Sequence, residues 1–87
     1  MVHADPDAID AFAQQLQRFC DESDQNMRRL NAQFARVSEL WKDEEYRKYA
    51  DNYQKSIRAL SKFITESRAQ VRPLRTKAEH LRRYLGR

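Results

Sequence analysis

The chain has 87 residues and a formal charge of +4, with 17 Lys+Arg against 13 Asp+Glu. Apolar residues make up 40 %, too many for a disordered tail, yet no apolar run approaches the roughly 20 residues of a membrane span. One Gly and two Pro leave almost no turn chemistry, which excludes a sheet-rich fold and points to a single, nearly all-helical domain.

The first helix is predicted to start at about residue 6. Asp5 can cap it, Pro6 suits its first position, and Asp7 favours the positive end of the helix dipole. Ile9, Phe12, Leu16, Cys20, Ser23, Met27, Leu30, Phe34, Val37 and Trp41 then follow at steps of three or four. That spacing is an amphipathic stripe close to a coiled-coil seam, and it carries the helix to about residue 40. Cys20 is the only cysteine, so no internal disulfide forms, and within the stripe it reads as a small hydrophobe.

At Lys42-Asp43-Glu44-Glu45 the stripe loses its phase, because both residues that could continue it are Glu. Asp43 can cap a new helix with Glu44 and Glu45 in its first turn. A turn at about 41–43 is therefore expected, against the competing reading of one continuous helix. The second stripe runs Tyr46, Tyr49, Tyr53, Ile57, Leu60, Ile64, Ser67, Val71, Leu74, Ala78, Leu81, Leu85 and stops before Gly86. It predicts a helix over about 44–85, kinked or divided at Pro73.

Charge supports folding back. Residues 1–24 carry six acidic side chains against Arg18, and residues 68–87 carry seven basic ones against Glu79. With the turn near residue 42, Asp10 is expected near Arg75 and Asp5 near Arg82. An antiparallel pair of continuous helices would meet the same pattern. The candidate core consists of Phe12, Leu16, Phe19, Met27, Leu30, Phe34, Ile57, Leu60, Phe63, Ile64 and Val71. A lone hairpin cannot bury all of it, and exposed contiguous apolar surface marks an interface. The expected architecture is thus an antiparallel helix-turn-helix hairpin that dimerises into a four-helix bundle, with itself or a second hairpin as partner.

Chemistry is sparsely signalled. No Ser-His-Asp set, Gly-rich phosphate loop or metal-spaced Cys/His cluster is present, so no enzyme activity and no cofactor are expected. His3 and His80, with Asp5 and Glu79, would come close in a hairpin as a candidate metal set, though solvation at fraying ends is the simpler reading. The basic end around Arg82, Arg83 and Tyr84 raises nucleic-acid binding as an alternative function, opposed by the acidic N-terminal segment beside it. Trp41, Asp43, Tyr46, Tyr49 and Tyr53 gather at the expected tip, either covering the seam or forming a docking surface for another protein. Residues 1–7 show no basic then apolar segment of a signal peptide.

The stretch Leu40-Trp41-Lys42-Asp43, with Tyr46 and Tyr49 following, resembles the mid-chain turn of the WXG-motif family, the early secretory antigenic target-like helical hairpins. Length and the two amphipathic helices match over about residues 5–85. Asp43 stands where the motif has glycine, and the C-terminal Tyr-x-x-x-Asp/Glu export signal is missing, since Tyr84 is followed only by Leu85, Gly86 and Arg87. The resemblance implies a dimeric four-helix bundle without catalytic activity, tied to a type VII-like secretion or toxin system as substrate, adaptor or chaperone. Its place would be the cytoplasm, or outside the cell by a route that needs no signal peptide.

Overall fold

In the computed structural model, which describes residues 4–86, the chain forms two helices, α1 (Pro6–Leu40) and α2 (Glu44–Tyr84). They fold back on each other, and the molecule measures 65 × 21 × 14 Å. One continuous helix of this length would reach roughly 120 Å at 1.5 Å rise per residue, so the hairpin is the form adopted. The ends follow the local chemistry. The Asp5 carboxylate accepts the Asp7 N–H at 2.9 Å, and Pro6 sits buried in the first turn. At the far end the Leu85 N–H reaches the Leu81 carbonyl at 2.9 Å, and Gly86 adopts φ +74°, the left-handed conformation that ends helices.

The seam repeats every seventh residue. In α1 it holds Pro6, Ala13, Cys20 and Met27, all buried, then the half-buried Phe34 and, just past the helix, Trp41. In α2 it holds Ile57, half-buried, then Ile64, Val71 and Ala78, all buried, with Tyr46, Tyr53, Ser67, Leu74 and Leu81 filling the intervening positions. A seven-residue apolar repeat is the pattern that keeps one face of each helix on its neighbour. At mid-hairpin Cys20, Met27 and Ile64 form the central cluster, with Leu16 and Ile57 packed on it. The Cys20 thiol lies 3.8 Å from the Ile64 carbonyl, which places the two helices opposite each other in the register expected from a turn near residue 42.

Three features differ from the sequence-based expectation. First, the seam is shifted by one position at the N-terminal end. Ala13 and Ala78 are fully buried, while Phe12 is 56 % exposed. Counting back by sevens from Cys20 lands on Ala13, and small side chains there let the helices approach. Phe12 is the larger hydrophobe, but it lies on the flank. Leu60 shares the row of Tyr53 and Ser67 yet stays 38 % exposed, and Leu30 on α1 is 52 % exposed. Second, α2 is not divided at Pro73. Proline forfeits only the hydrogen bond it would donate, and buried Val71 and Ala78 on either side hold the helix against α1. Third, the ion pairs use other partners. Arg82 pairs with Asp7 at 2.9 Å and Asp10 at 2.5 Å, and Arg68 with Asp21 at 2.7 Å, rather than Arg75 with Asp10 and Arg82 with Asp5. With Cys20 facing Ile64, Arg68 and Arg82 stand five to eight residues beyond the positions opposite their partners, a gap closed by long arginine stems that lean back along α2 toward the turn.

These pairs all lie on one side of the hairpin. The Arg68 guanidinium, and then the Gln17 amide, hydrogen-bond the Asp21 carboxyl and hold it below its ordinary value of 3.8. Asp7 and Asp10 raise Arg82 above the ordinary arginine range. A carboxylate whose folded value is lowered stabilises the fold above its unfolded value, and that contribution is lost as pH falls through the lowered one.

Ile64→Ala should cost about 2–5 kcal/mol in urea unfolding followed by far-UV circular dichroism, and Ala78→Leu about 1–3 kcal/mol through overpacking. Thermal stability should fall on acidification between about pH 5 and pH 2, and Asp21→Asn should flatten part of that fall.

Candidate functional site

The hairpin tip brings together the residues expected there. Trp41 caps α1, its N–H bonded to the Val37 carbonyl at 2.8 Å. Lys42 reaches back from the turn, its ammonium donating to the Ser38 carbonyl at 3.1 Å. Asp43 caps α2, its carboxylate accepting the Tyr46 N–H at 3.2 Å. Reversal of the chain therefore needs neither Gly nor Pro, because extended backbone at Trp41 and Asp43 and side-chain capping at each end of the turn suffice.

Above this turn five aromatic rings form a continuous ladder. Trp41 meets Tyr46 edge-on at 5.8 Å and Tyr49 at 5.4 Å, and Phe34 stacks on Tyr46 at 5.9 Å and on Tyr53 at 4.3 Å. Such contacts add about 0.5–1.5 kcal/mol per pair beyond burial alone. The hydroxyls are used as well. Tyr53 donates to the Asn31 side-chain carbonyl at 2.5 Å, and the Tyr46 and Ser38 hydroxyls are hydrogen-bonded to each other. Trp41, Tyr46 and Tyr53 are half-buried, while Tyr49 is 52 % exposed. Trp41 and the tyrosines thus cover the seam and also present ring surface outward. Two shallow depressions open here. One of about 310 Å³ is lined by Ser38, Trp41, Lys42, Asp43, Glu44, Tyr46 and Arg47. The other, of about 520 Å³, lies over Phe34, Tyr53 and Ile57.

Sequence reasoning missed two members of this cluster. Ser38 and Asn31 are polar residues on the α1 flank, and their position beside the seam, seven apart, is the signal that could have found them. Phe34, read as seam, belongs to both the seam and the tip.

A second feature runs along one side of the hairpin. Opposite the side that holds the ion pairs, Phe19 and Phe63 pack edge to face at 6.2 Å across the two helices, and they remain 48 % and 52 % exposed. Phe12 lies two helical turns from Phe19 on the same side, and Leu40 and Tyr49 continue it at the tip. Leu30 and Leu60 line a depression of about 200 Å³ with Ser23, Asn26 and Met27. The remaining expected core residues, Leu16, Met27, Ile57, Ile64 and Val71, are turned into the hairpin seam.

The total surface area reflects the open shape of the hairpin. The chain exposes 7247 Å², whereas a compact monomer of its mass exposes about 5,400 Å². The difference, about 1,800 Å², follows from the elongated 65 × 21 × 14 Å shape of a two-helix hairpin and is spread over its whole surface.

The other candidates are less developed. Arg82 and Arg83, the focus of the nucleic-acid reading, are engaged by Asp7, Asp10 and Glu79. Among the described residues no group of three or more His, Cys, Asp or Glu could hold a metal ion, and His3 of the candidate metal set lies outside the described residues. No helix in the described residues is long and apolar enough to cross a membrane. No family model, curated protein or solved structure matches the chain.

Removing the cap tests the tip. Asp43→Ala should lower stability by about 0.5–2 kcal/mol, and Asp43→Asn, which keeps an acceptor, should cost much less, both measured by thermal unfolding.

Proposed function

We propose that this chain is a non-enzymatic interaction protein of the WXG-motif type, serving a type VII-like secretion or toxin system as substrate, adaptor or chaperone and acting as a homodimer. The observation that carries this reading is the unfinished burial of the hairpin. A long aromatic and aliphatic side stays open to solvent on a chain whose two helices are otherwise fully capped and register-locked. Exposed apolar surface of this extent belongs to proteins whose work is binding other proteins. The tip adds a second contact zone. Trp41 and Tyr49 offer aromatic surface on a pre-ordered turn, and rigid aromatic anchors dominate protein–protein binding energy.

The link to secretion rests on the resemblance at Leu40-Trp41-Lys42-Asp43 and on the hairpin itself, with the turn falling where that resemblance requires. Asp43 in the glycine position is compatible with that turn, because there it acts as the cap of α2.

Fractionation tests the reading. The protein is quantified in washed culture supernatant and in lysate, with a cytosolic marker as lysis control. Enrichment outside the cell is expected for a substrate. For an adaptor or chaperone, the protein stays inside and co-purifies with a secretion component or toxin, and Trp41→Ala weakens that co-purification. A chain that is retained and binds no such component sinks the proposal.

A further inference from the structure

We infer that the half of the hairpin nearer the tip binds single-stranded nucleic acid, through a basic belt around the depression over Phe34, Tyr53 and Ile57. The inference goes beyond the protein-binding reading above and uses a different flank of the molecule.

The charge of the chain is unevenly placed. At the open end the side chains of residues 1–24 sum to −5 and those of residues 63–87 to +5, so the two helices cancel each other there. Residues 39–45 at the turn sum to −3. Between these regions, residues 25–38 and 46–62 hold eight Lys or Arg against Asp51 alone, a net +7. All eight are exposed. Within the described residues only two of them form ion pairs, Arg28 with Asp24 at 3.2 Å and Lys62 with Glu66 at 3.9 Å. A folded surface that gathers like charges without matching them is the electrostatic footprint of a polyanion site.

The depression of about 520 Å³ lies inside this belt. Asn31 and Ser38 continue the α1 row of Asp10, Gln17 and Asp24 at seven-residue steps, and Gln54 continues the α2 row of Arg68 and Arg82. The depression therefore opens on the flank that holds the ion pairs. With Cys20 facing Ile64, Arg28 stands opposite about residue 56, between Lys55 and Arg58, at the end farther from the turn. Arg47 stands at the other end, about 17 Å from Arg58 along α2. The floor between them is Phe34 stacked on Tyr53, with Ile57 beside them. The rim carries two primary amides. The Asn31 side-chain carbonyl accepts the Tyr53 hydroxyl, which leaves its N–H groups as donors, and Gln54 brings a second amide.

Rings and amides set among cations match what an unpaired nucleotide presents. The base face stacks on aromatic surface, the base edge takes hydrogen bonds, and the phosphates meet Arg and Lys. A duplex keeps its bases stacked inside and offers none to the depression. An acidic protein segment satisfies the cations but brings no large planar face at each step. A lipid surface calls for apolar groups beside the cations, and Phe19 and Phe63 lie on the opposite flank.

Fluorescence anisotropy with labelled oligothymidylate and oligouridylate of about 16 nucleotides reads this directly. Both are expected to bind, and with four phosphates held by Arg28, Arg47, Lys55 and Arg58 affinity should fall about 50-fold between 50 and 200 mM salt. Arg47→Glu with Arg58→Glu should weaken binding about tenfold or more, whereas Arg75→Glu with Arg83→Glu, an equal change of charge at the open end, should weaken it far less. Ala35→Leu, which fills the depression from an exposed position and changes no charge, should also weaken it. Circular dichroism checks that each variant keeps its helices. Absence of binding at 50 mM salt overturns the inference, and an equal loss from the two charge pairs overturns the belt as its place. A duplex bound as tightly as the single strand, or polyglutamate displacing the oligonucleotide as well as unlabelled oligothymidylate does, overturns single-stranded nucleic acid as the occupant. None of these readouts depends on export or on a protein partner, so failure here leaves the secretion reading standing.

Discussion

Two helices side by side share one line of contact, and every other feature of this hairpin answers to that restriction. Each helix can turn only one stripe toward its neighbour, and the seven-residue repeat assigns that stripe to Ala13, Cys20 and Met27 on α1 and to Ile64, Val71 and Ala78 on α2. Small residues at the open end and rings at the tip give the seam its taper, from Ala13 and Ala78 to Phe34, Trp41, Tyr46 and Tyr53. Whatever apolar surface the chain carries beyond this line has nowhere to go within one molecule. Phe12, Phe19 and Phe63 are on the surface for that reason, not because the helices are badly packed.

The turn meets the same economy of means. A reversal without Gly or Pro requires that backbone groups at both helix ends find partners by other routes. Asp43 supplies one for α2, Lys42 supplies one for α1 by reaching the Ser38 carbonyl, and Trp41 donates its own N–H to Val37. The rings above then make the tip a packed element rather than a loose connection. An ordered aromatic tip is pre-organised for contact, because little side-chain freedom is left to lose on binding.

Much of this was legible in the residues, and the limits of legibility are specific. Both helices, their caps at Asp5 and Asp43, the turn at Trp41-Lys42-Asp43 and the antiparallel direction follow from periodicity, capping chemistry and charge. The register of the seam was harder. Period alone cannot choose between Phe12 and Ala13, which are neighbours in sequence and only about 100° apart on the helix. Ranking by hydrophobicity favours Phe12, whereas close helix approach favours Ala13. Asp10 meets Arg82, seven residues past the Arg75 expected opposite it, because arginine stems are long, and α2 runs undivided through Pro73 because Val71 and Ala78 on either side are buried. At the tip, Ser38 and Asn31 carry no motif, and only the fold brings them to Tyr46 and Tyr53.

The contrast between the two flanks bears on why a chain this small would leave so much unburied. A domain of this length gains little stability from one seam, and its margin is only a few kcal/mol in any arrangement. Closing the aromatic flank internally would need a third helix. Leaving it open makes part of the stability conditional on whatever covers it, and a fold whose margin depends on a partner is coupled by mass action to that partner's concentration. The ion pairs of Arg68 and Arg82 sit on the opposite flank, where they keep the two helices in register while the aromatic flank is still uncovered. One flank ties the two helices together, and the other is left open to solvent.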